Sequence, residues 1–260
     1  MAIFKKVLQV KESGVFTKKE LRIVRENPIT IYINGEEFVT LLCTPTHLKE
    51  LAVGFLAAEK IITNANDIKE ILVDKDKGLI WIELKVYRKI AKATYGKRYL
   101  TSGCGKGTVF YHLNDVMDIK PFPVVNKFEV ETIFTLVKAV AKKTDEKGET
   151  AGGIHKAALV EDNKVQVIKS DVGRHNAVDK VFGSILLQNK EIKADMLITT
   201  GRISSEILTK SYAMGVPVVV SLSTPTALSI EIAENLNITV IGYVRGKKAN
   251  IYSVPERIIL

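Results

Sequence analysis

Of the side chains that could act as a nucleophile, Cys104 is a candidate because it lies in the glycine-rich segment 101–108 (TSGCGKGT). Glycines at positions 103, 105 and 107 would leave its sulfur little shielded, and the ammonium group of Lys106 would favour the thiolate, the nucleophilic form. No Cys–His protease signature surrounds it, and glycine-rich turns often carry an incidental cysteine. Spacing alone therefore makes Cys104 a candidate nucleophile without assigning it a reaction.

The other cysteine, Cys43, follows Leu41 and Leu42 at the end of a predicted strand. A buried thiol in such a setting behaves as a small apolar residue, so we expect a structural role. Two cysteines are too few for a disulfide framework or for a four-ligand zinc site. We therefore predict no metal site.

Three polar stretches have the composition and position of an anion-binding site. They are residues 171–176 (DVGRHN), 199–204 (TTGRIS) and 221–226 (SLSTPT), and each joins a predicted strand to a predicted helix. In open α/β sheets, ligands bind beyond the carboxyl ends of parallel strands. There the free N–H groups and the dipole of a helix N-terminus favour an anion. Arg174 and Arg202 add forked donors that suit phosphate.

The candidate binding residues of these stretches are polar side chains and one glycine: Arg174, His175, Asn176, Gly201, Arg202, Ser204, Ser223, Thr224 and Thr226. Any one of the hydroxyl residues could be a plain helix N-cap, but three such turns with two arginines favour a phosphate-bearing ligand. The pattern matches neither GxGxxG nor GxxxxGK(S/T), which disfavours a Rossmann cofactor and a P-loop nucleotide.

Two histidines are further candidates for chemistry near neutral pH. His155 follows a flexible turn at 151–153 (AGG), and His175 lies in a dense polar run with Asp171 and Asp179. Each could act as an acid, a base or a ligand, and each could equally be a structural hydrogen-bonding residue. The sequence has no HxE motif followed by PCxxC, so it lacks the ligands of a zinc deaminase.

The elements that would position these residues differ between the two halves of the chain. In the first half, Asn34-Gly35 indicates a hairpin within residues 25–40, and strands are predicted at 68–73 and 79–86. A helix should follow Thr44, with Thr44 as its cap and Pro45 at its first position. Its apolar positions recur at helical spacing.

The second half alternates strands and helices after a linker near residues 120–126. We predict a helix at 128–142, a hairpin pairing 156–160 with 164–169, helices at 175–189, 203–214 and 225–236, and strands at 194–200, 216–222 and 238–244. Such alternation predicts a sheet with parallel strands and packed helices. We therefore expect an α/β fold (α+β overall), with a smaller strand-rich domain at 1–122 that carries Cys104 and an α/β domain at 123–260.

Composition narrows the class of protein. The 260 residues carry a formal net charge of +9, which favours an anionic partner or reflects a solvated lysine-rich surface. No apolar run approaches the roughly 20 residues of a membrane span, and the start of the chain lacks a signal-peptide pattern. We expect a cytoplasmic protein with no membrane partner.

With these residues in view, the chain is identified as a member of the FdhD family of formate dehydrogenase accessory proteins. Residues 171–180 (DVGRHNAVDK) closely resemble a signature run of that family. Residues 51–56 (LAVGFL), 201–204 (GRIS) and 223–226 (STPT) resemble shorter family motifs in the same order. The resemblance extends from about residue 25 to residue 257.

The resemblance implies a fold, an activity and partners. It implies a three-layer C-terminal domain similar to that of cytidine deaminases, without the zinc site. It implies a sulfurtransferase that takes sulfur from a cysteine desulfurase as a persulfide on Cys104. The sulfur would pass to the bis-molybdopterin guanine dinucleotide cofactor of the formate dehydrogenase catalytic subunit. The strand-end residues, with His155, would face the guanine nucleotide ends, for which GDP is a mimic, and a homodimer is expected.

The chain departs from the family pattern at three positions. The loop has one cysteine where many members have Cys-Gly-x-Cys-Gly, Ala151 replaces a threonine, and His47 stands where aspartate is common. The missing cysteine keeps open a second function, a chaperone that holds the cofactor without sulfur chemistry. The basic charge suggests a third, a nucleic-acid binder, although we expect no nucleic-acid partner.

Overall fold

The computed structural model describes residues 2–14, 16–85, 120–142, 152–188 and 193–259. Cys104, Lys106 and Ala151 lie outside the described residues, so what was predicted for them stays a prediction. The strands are β1 (Ala2–Val10), β2 (Phe16–Val24), β3 (Asn27–Ile33), β4 (Glu36–Cys43), β5 (Ile68–Asp74), β6 (Leu79–Leu84), β7 (Phe128–Glu129), β8 (His155–Glu161), β9 (Lys164–Asp171), β10 (Met196–Thr199), β11 (Val218–Ser221), β12 (Thr239–Arg245), β13 (Lys248–Ser253) and β14 (Ile258–Ile259). The helices are α1 (Leu48–Ala58), α2 (Val130–Lys142), α3 (Arg174–Leu186), α4 (Ser205–Ala213) and α5 (Ala227–Leu236).

The first half of the chain contains a hairpin, β1–β2, and a four-stranded sheet in the order β4-β3-β6-β5. The predicted turn at Asn34-Gly35 is confirmed: both residues have positive φ, 48° and 82°, and β3 pairs antiparallel with β4 across them. The side-chain oxygen of Asn34 also accepts the backbone N–H of Leu84 at 2.8 Å, so this turn is tied to the end of β6.

The start of α1 was predicted wrongly. The helix begins at Leu48, and its N-cap is His47 in a left-handed conformation with no side-chain cap bond. Thr44 is buried, and its hydroxyl oxygen accepts the backbone N–H of Val172 at 3.1 Å. Because that contact is 128 residues away along the chain, local pattern could not have shown that the hydroxyl group is used elsewhere.

The second half of the chain builds a six-stranded sheet in the order β13-β12-β11-β10-β8-β9. The predicted parallel pairing is confirmed for β10, β11 and β12. The predicted hairpin of β8 with β9 is confirmed as well, and β8 also pairs antiparallel with β10. The pairing of β12 with β13 at the far edge was not predicted.

Helices cover both faces of this sheet. Side chains of α2 pack against one face in a cluster that includes Ala158, Ile198 and Val220. The opposite face, which carries Leu159, Leu197 and Val219, packs against α3, α4 and α5. The fold is therefore mixed α/β, as expected, while the likeness to cytidine deaminases and the domain boundary at residue 122 stay predictions. Among the described residues, no helix combines the length and apolar character needed to cross a membrane.

The two halves meet where α1 crosses α3 at a pair of glycines. A Cβ atom added to Gly54 would lie 1.8 Å from the carbonyl oxygen of Asp179, and one added to Gly183 would lie 1.9 Å from that of Glu50. Both distances are far inside van der Waals contact, so the two backbones touch and only glycine fits. One hydrophobic cluster runs through this crossing from the four-stranded sheet to α3, α4 and α5.

Candidate functional site

The three predicted anion-binding stretches lie at one edge of the six-stranded sheet. β9 ends at Asp171, β10 at Thr199 and β11 at Ser221, and β8 begins at His155. His155 pairs with Asp171, and Thr199 pairs with both Ala157 and Ser221. The antiparallel direction of β8 therefore brings the start of this strand to the edge at which its neighbours end.

The first turn is held against the first half of the chain by Asp171. This buried carboxylate accepts the backbone N–H groups of Thr44 at 3.1 Å and of Gly173 at 2.8 Å, and it pairs with the buried ammonium group of Lys180. The amide nitrogen of Asn176 donates to Asp171 and to the carbonyl oxygen of Leu42. Asn176 is thus engaged inside the protein, and it orients the turn from which Arg174 starts α3.

Gly201 brings the second turn against the first. A Cβ atom at this position would lie 2.7 Å from Cβ of Arg174 and 3.3 Å from Nδ1 of His155, so a larger residue would push these side chains apart. Its backbone is fixed from both sides, because its N–H donates to Oγ1 of Thr199 and its carbonyl oxygen accepts the hydroxyl of Ser221 at 2.6 Å. The structure therefore brings His155, Arg174 and Gly201 together.

The third turn is joined to the second by backbone contacts. The N–H of Ile203 donates to the carbonyl oxygen of Thr224 at 3.2 Å, and the N–H of Thr226 donates to the carbonyl oxygen of Ile203 at 3.1 Å. The hydroxyl oxygen of Thr226 accepts the N–H of Ser229 in a capping box, so this residue is the N-cap of α5. Arg202, Thr224 and Thr226 are exposed, whereas Ser204 and Ser223 are half-buried.

The helix N-termini at this edge differ in how they are capped. Gly173 and Ser204 are the N-caps of α3 and α4, and neither makes a side-chain cap bond, whereas α5 is capped by its own side chains. The first-turn N–H groups of α3 and α4 thus lack a side-chain cap, beside Arg174 and Arg202. Uncapped N–H groups, the positive helix ends and guanidinium groups together suit an anion such as phosphate.

His175 lies next to Ser204 and Glu206. Its Nε2 atom is 3.1 Å from Oγ of Ser204 and 3.5 Å from Oε2 of Glu206. Burial, together with the charges of Lys210 and Arg174, lowers the pKa of His175 to about 3. Burial, with Arg174, also lowers the pKa of His155. Both imidazoles are therefore neutral at physiological pH and can each both donate and accept a hydrogen bond.

Sequence reasoning missed a buried charged cluster beneath His175. The ammonium group of Lys210 pairs with Asp179 and lies 3.7 Å from Oε1 of Glu206. Burial alone would lower the pKa of Lys210, but Asp179 and Glu206 outweigh it and raise the pKa. The Glu206–Lys210 spacing of four residues is visible in the sequence, yet it is more typical of a solvent-exposed helix face. Only tertiary packing reveals its burial.

The two cysteines differ in what the structure describes of them. Cys104 lies outside the described residues. Cys43 is buried, and burial, with Asp171 nearby, raises the pKa of its thiol to about 12, which suits the expected structural role. Within the described ranges, no group of three or more His, Cys, Asp or Glu side chains is arranged to hold a metal ion.

Comparison with known proteins gives consistent matches along the chain. The model of the FdhD/NarQ family matches residues 24–259. The sulfur carrier protein FdhD of Bacillus pumilus is 41% identical over 254 residues, covering 98% of this chain and 97% of that protein. The protein of the same name from Bacillus subtilis is 41% identical over 247 residues, covering 95% and 94%. A crystal structure described as a formate dehydrogenase accessory protein from Desulfotalea psychrophila superposes with a TM-score of 0.78 at 26% identity, covering 99% of both chains.

Proposed function

Since the chain belongs to the FdhD/NarQ family, we propose that it is a cytoplasmic sulfur carrier that serves formate dehydrogenase. In this proposal Cys104 accepts sulfur from a cysteine desulfurase as a persulfide. The sulfur then passes to the bis-molybdopterin guanine dinucleotide cofactor, which the protein holds as cargo. The names of the relatives support sulfur carriage and the link to formate dehydrogenase. One observation supports the proposal that the protein holds the cofactor. At the side of the six-stranded sheet where β9, β10 and β11 end, which we call the strand edge, the N-termini of α3 and α4 lack a side-chain cap and lie beside Arg174 and Arg202.

The chemistry of this edge suits the nucleotide end of the cargo. Phosphate oxygens would accept hydrogen bonds from the first-turn N–H groups of α3 and α4 and from the forked donors of Arg174 and Arg202. The neutral imidazoles of His155 and His175 add groups that donate and accept, without the charge that an imidazolium would bring. The exposed hydroxyl groups of Thr224 and Thr226 lie on the adjoining turn.

The sulfur step requires one accessible thiolate. The thiolate of Cys104 would attack the terminal sulfur of the donor's persulfide, and the donor cysteine would leave as a thiolate, so loading of Cys104 needs no external oxidant or reductant. Cys43 does not suit this role, because burial raises the pKa of its thiol to about 12 and keeps it protonated.

A cofactor-holding chaperone without sulfur chemistry is the second candidate. It is favoured by one specific observation, the single cysteine in the segment 101–108. The two functions share the strand edge and differ only at Cys104. An experiment that measures whether the protein gains a sulfur atom therefore distinguishes the sulfur carrier from the chaperone.

We expect the wild-type protein to gain the mass of one sulfur atom when it is incubated with a cysteine desulfurase and cysteine, because a persulfide retains the transferred atom. The Cys104→Ala variant should gain none, while Cys43→Ala should gain it as the wild type does. Intact-protein mass spectrometry under non-reducing conditions measures this. Absence of the gain in the wild type would favour the cofactor-holding chaperone.

We expect GDP to bind at the strand edge, and Arg174→Ala and Arg202→Ala each to weaken its affinity about tenfold, because each removes a charge-assisted contact to phosphate. Lys69→Ala removes an exposed cation at the start of β5, where this strand pairs with the end of β6, and serves as the control. Isothermal titration calorimetry gives the dissociation constants. Equal affinities in all four proteins would place the nucleotide elsewhere.

A further inference from the structure

The β1–β2 hairpin has an unusual surface for a soluble protein. Its strands pair antiparallel in unbroken register from Ala2 with Val24 to Val10 with Phe16. Among the described elements, β1 and β2 pack on each other, and neither forms a comparable contact with another strand or helix. An isolated two-stranded hairpin is marginally stable in water, so a partner surface is expected to cover it.

One face of this hairpin is both apolar and basic. Phe4, Leu8, Val10 and Phe16 are exposed to 67%, 62%, 61% and 66%. Because side chains alternate along a strand and opposed residues share a face, these four lie on the same side of the ribbon. The same alternation places Lys6, Lys18, Glu20 and Arg22 among them. We call this set the docking face.

We propose that the docking face binds an acidic surface with apolar side chains on the protein that receives the cargo, the formate dehydrogenase catalytic subunit. The docking face carries the exposed Lys6 and Lys18 and the opposite face carries Lys5 and Lys19, so the positive charge of the hairpin favours a negative partner, while the exposed apolar side chains single out the docking face. Four exposed aliphatic and aromatic side chains require apolar groups on that partner as well. A second copy of this chain is disfavoured, because two identical positive faces repel and the chain carries a net charge of +9.

The position of the hairpin points to the receiving protein. Val24, at the base of β2, lies 3.9 Å from where a Cβ atom of Gly153 would be, and Gly153 is two residues before His155. The hairpin thus extends from beside the strand edge. This step rests on the proposed function: a protein that takes the cofactor must approach the edge where the cofactor is held.

The extent of the family match agrees with a role in partner recognition. The family model begins at residue 24, so almost the whole hairpin lies outside the core that the family model describes. The Bacillus pumilus relative nevertheless matches 98% of this chain, so a segment aligned with most of the hairpin exists there. The solved relative also matches 99% of this chain, so the hairpin lies outside the family model but is shared with relatives, as a contact with a common kind of partner would be.

The two faces of the hairpin allow a matched test. Lys6→Glu with Lys18→Glu reverses two charges on the docking face, and Lys5→Glu with Lys19→Glu reverses two exposed charges of the same strands on the opposite face. Phe4→Ser with Phe16→Ser removes apolar area from the docking face alone. Binding of each full-length variant to the immobilised formate dehydrogenase catalytic subunit of the same organism is measured by biolayer interferometry.

We expect both docking-face variants to lose about tenfold or more in affinity, and the opposite-face variant to stay within about twofold of the wild type. GDP affinity should be the same in all of them, so a failure of nucleotide binding remains distinguishable from a failure of docking. Equal losses on both faces, or no binding by the wild type, would overturn the proposal. So would a dimer in sedimentation that only the docking-face variants dissociate, or retention of transfer RNA by the docking face, since these outcomes name another occupant.

Discussion

Replacing Gly54 or Gly183 by alanine is expected to abolish folding or to lower the free energy of unfolding by about 4 kcal/mol or more. Alanine in a helix normally stabilises it by roughly 0.5–1 kcal/mol relative to glycine. Here the added methyl group would lie 1.8 or 1.9 Å from a backbone carbonyl oxygen of the facing helix. Relief would require α1 and α3 to separate, which would open the hydrophobic cluster that both share.

Soluble yield and urea unfolding followed by circular dichroism measure this effect. Lys49→Ala, on the exposed side of α1, is the control, and its midpoint should stay close to that of the wild type. Wild-type midpoints for both glycine variants would show that the helices do not cross as closely as described.

The second large effect is expected at the buried pair of Asp171 and Lys180, which are both fully inaccessible. Asp171→Asn should cost about 3–5 kcal/mol of unfolding free energy, because it leaves the ammonium group of Lys180 buried without its countercharge. Lys180→Met should cost less, since Asp171 keeps hydrogen bonds from the backbone N–H groups of Thr44 and Gly173. The double variant should recover part of the loss, because it removes the unpaired charge.

A double-mutant cycle in urea unfolding measures the coupling between these two residues. The exposed pair of Lys77 and Asp74, whose charged atoms are 3.5 Å apart, provides a matched cycle in which the two substitutions should be nearly additive. Additive losses at Asp171 and Lys180 would contradict the buried ion pair.

The sequence pattern correctly predicted the parts of the fold that depend on interactions between residues close together in the chain. The turn at Asn34-Gly35 needs two residues that tolerate positive φ, and Asn-Gly supplies them next to alternating apolar residues. The strand and helix alternation of the second half reflects two clear periodicities of side-chain burial. The clustering of the polar turns followed from the rule that parallel strands end at one edge.

What escaped prediction depends on contacts between distant parts of the chain. Thr44 has the pattern of a helix cap, but its hydroxyl oxygen serves Val172 instead. Lys180 and Lys210 lie on helices where lysine is ordinarily solvated, and their burial depends on carboxylates brought by folding. Gly54 and Gly183 are unremarkable as single residues, because each is required only by the backbone of the other helix.

Helix α3 has three structural roles along its length. Its first turn presents Arg174 and His175 at the strand edge, its middle holds Asp179 and Lys180 in buried ion pairs, and its last turns admit α1 at Gly183. A substitution that one of these roles would tolerate therefore disrupts another of them. This crowding of independent constraints leaves few positions of α3 at which a substitution would be tolerated. It also makes α3 a poor place to begin engineering, and the separate hairpin a better one.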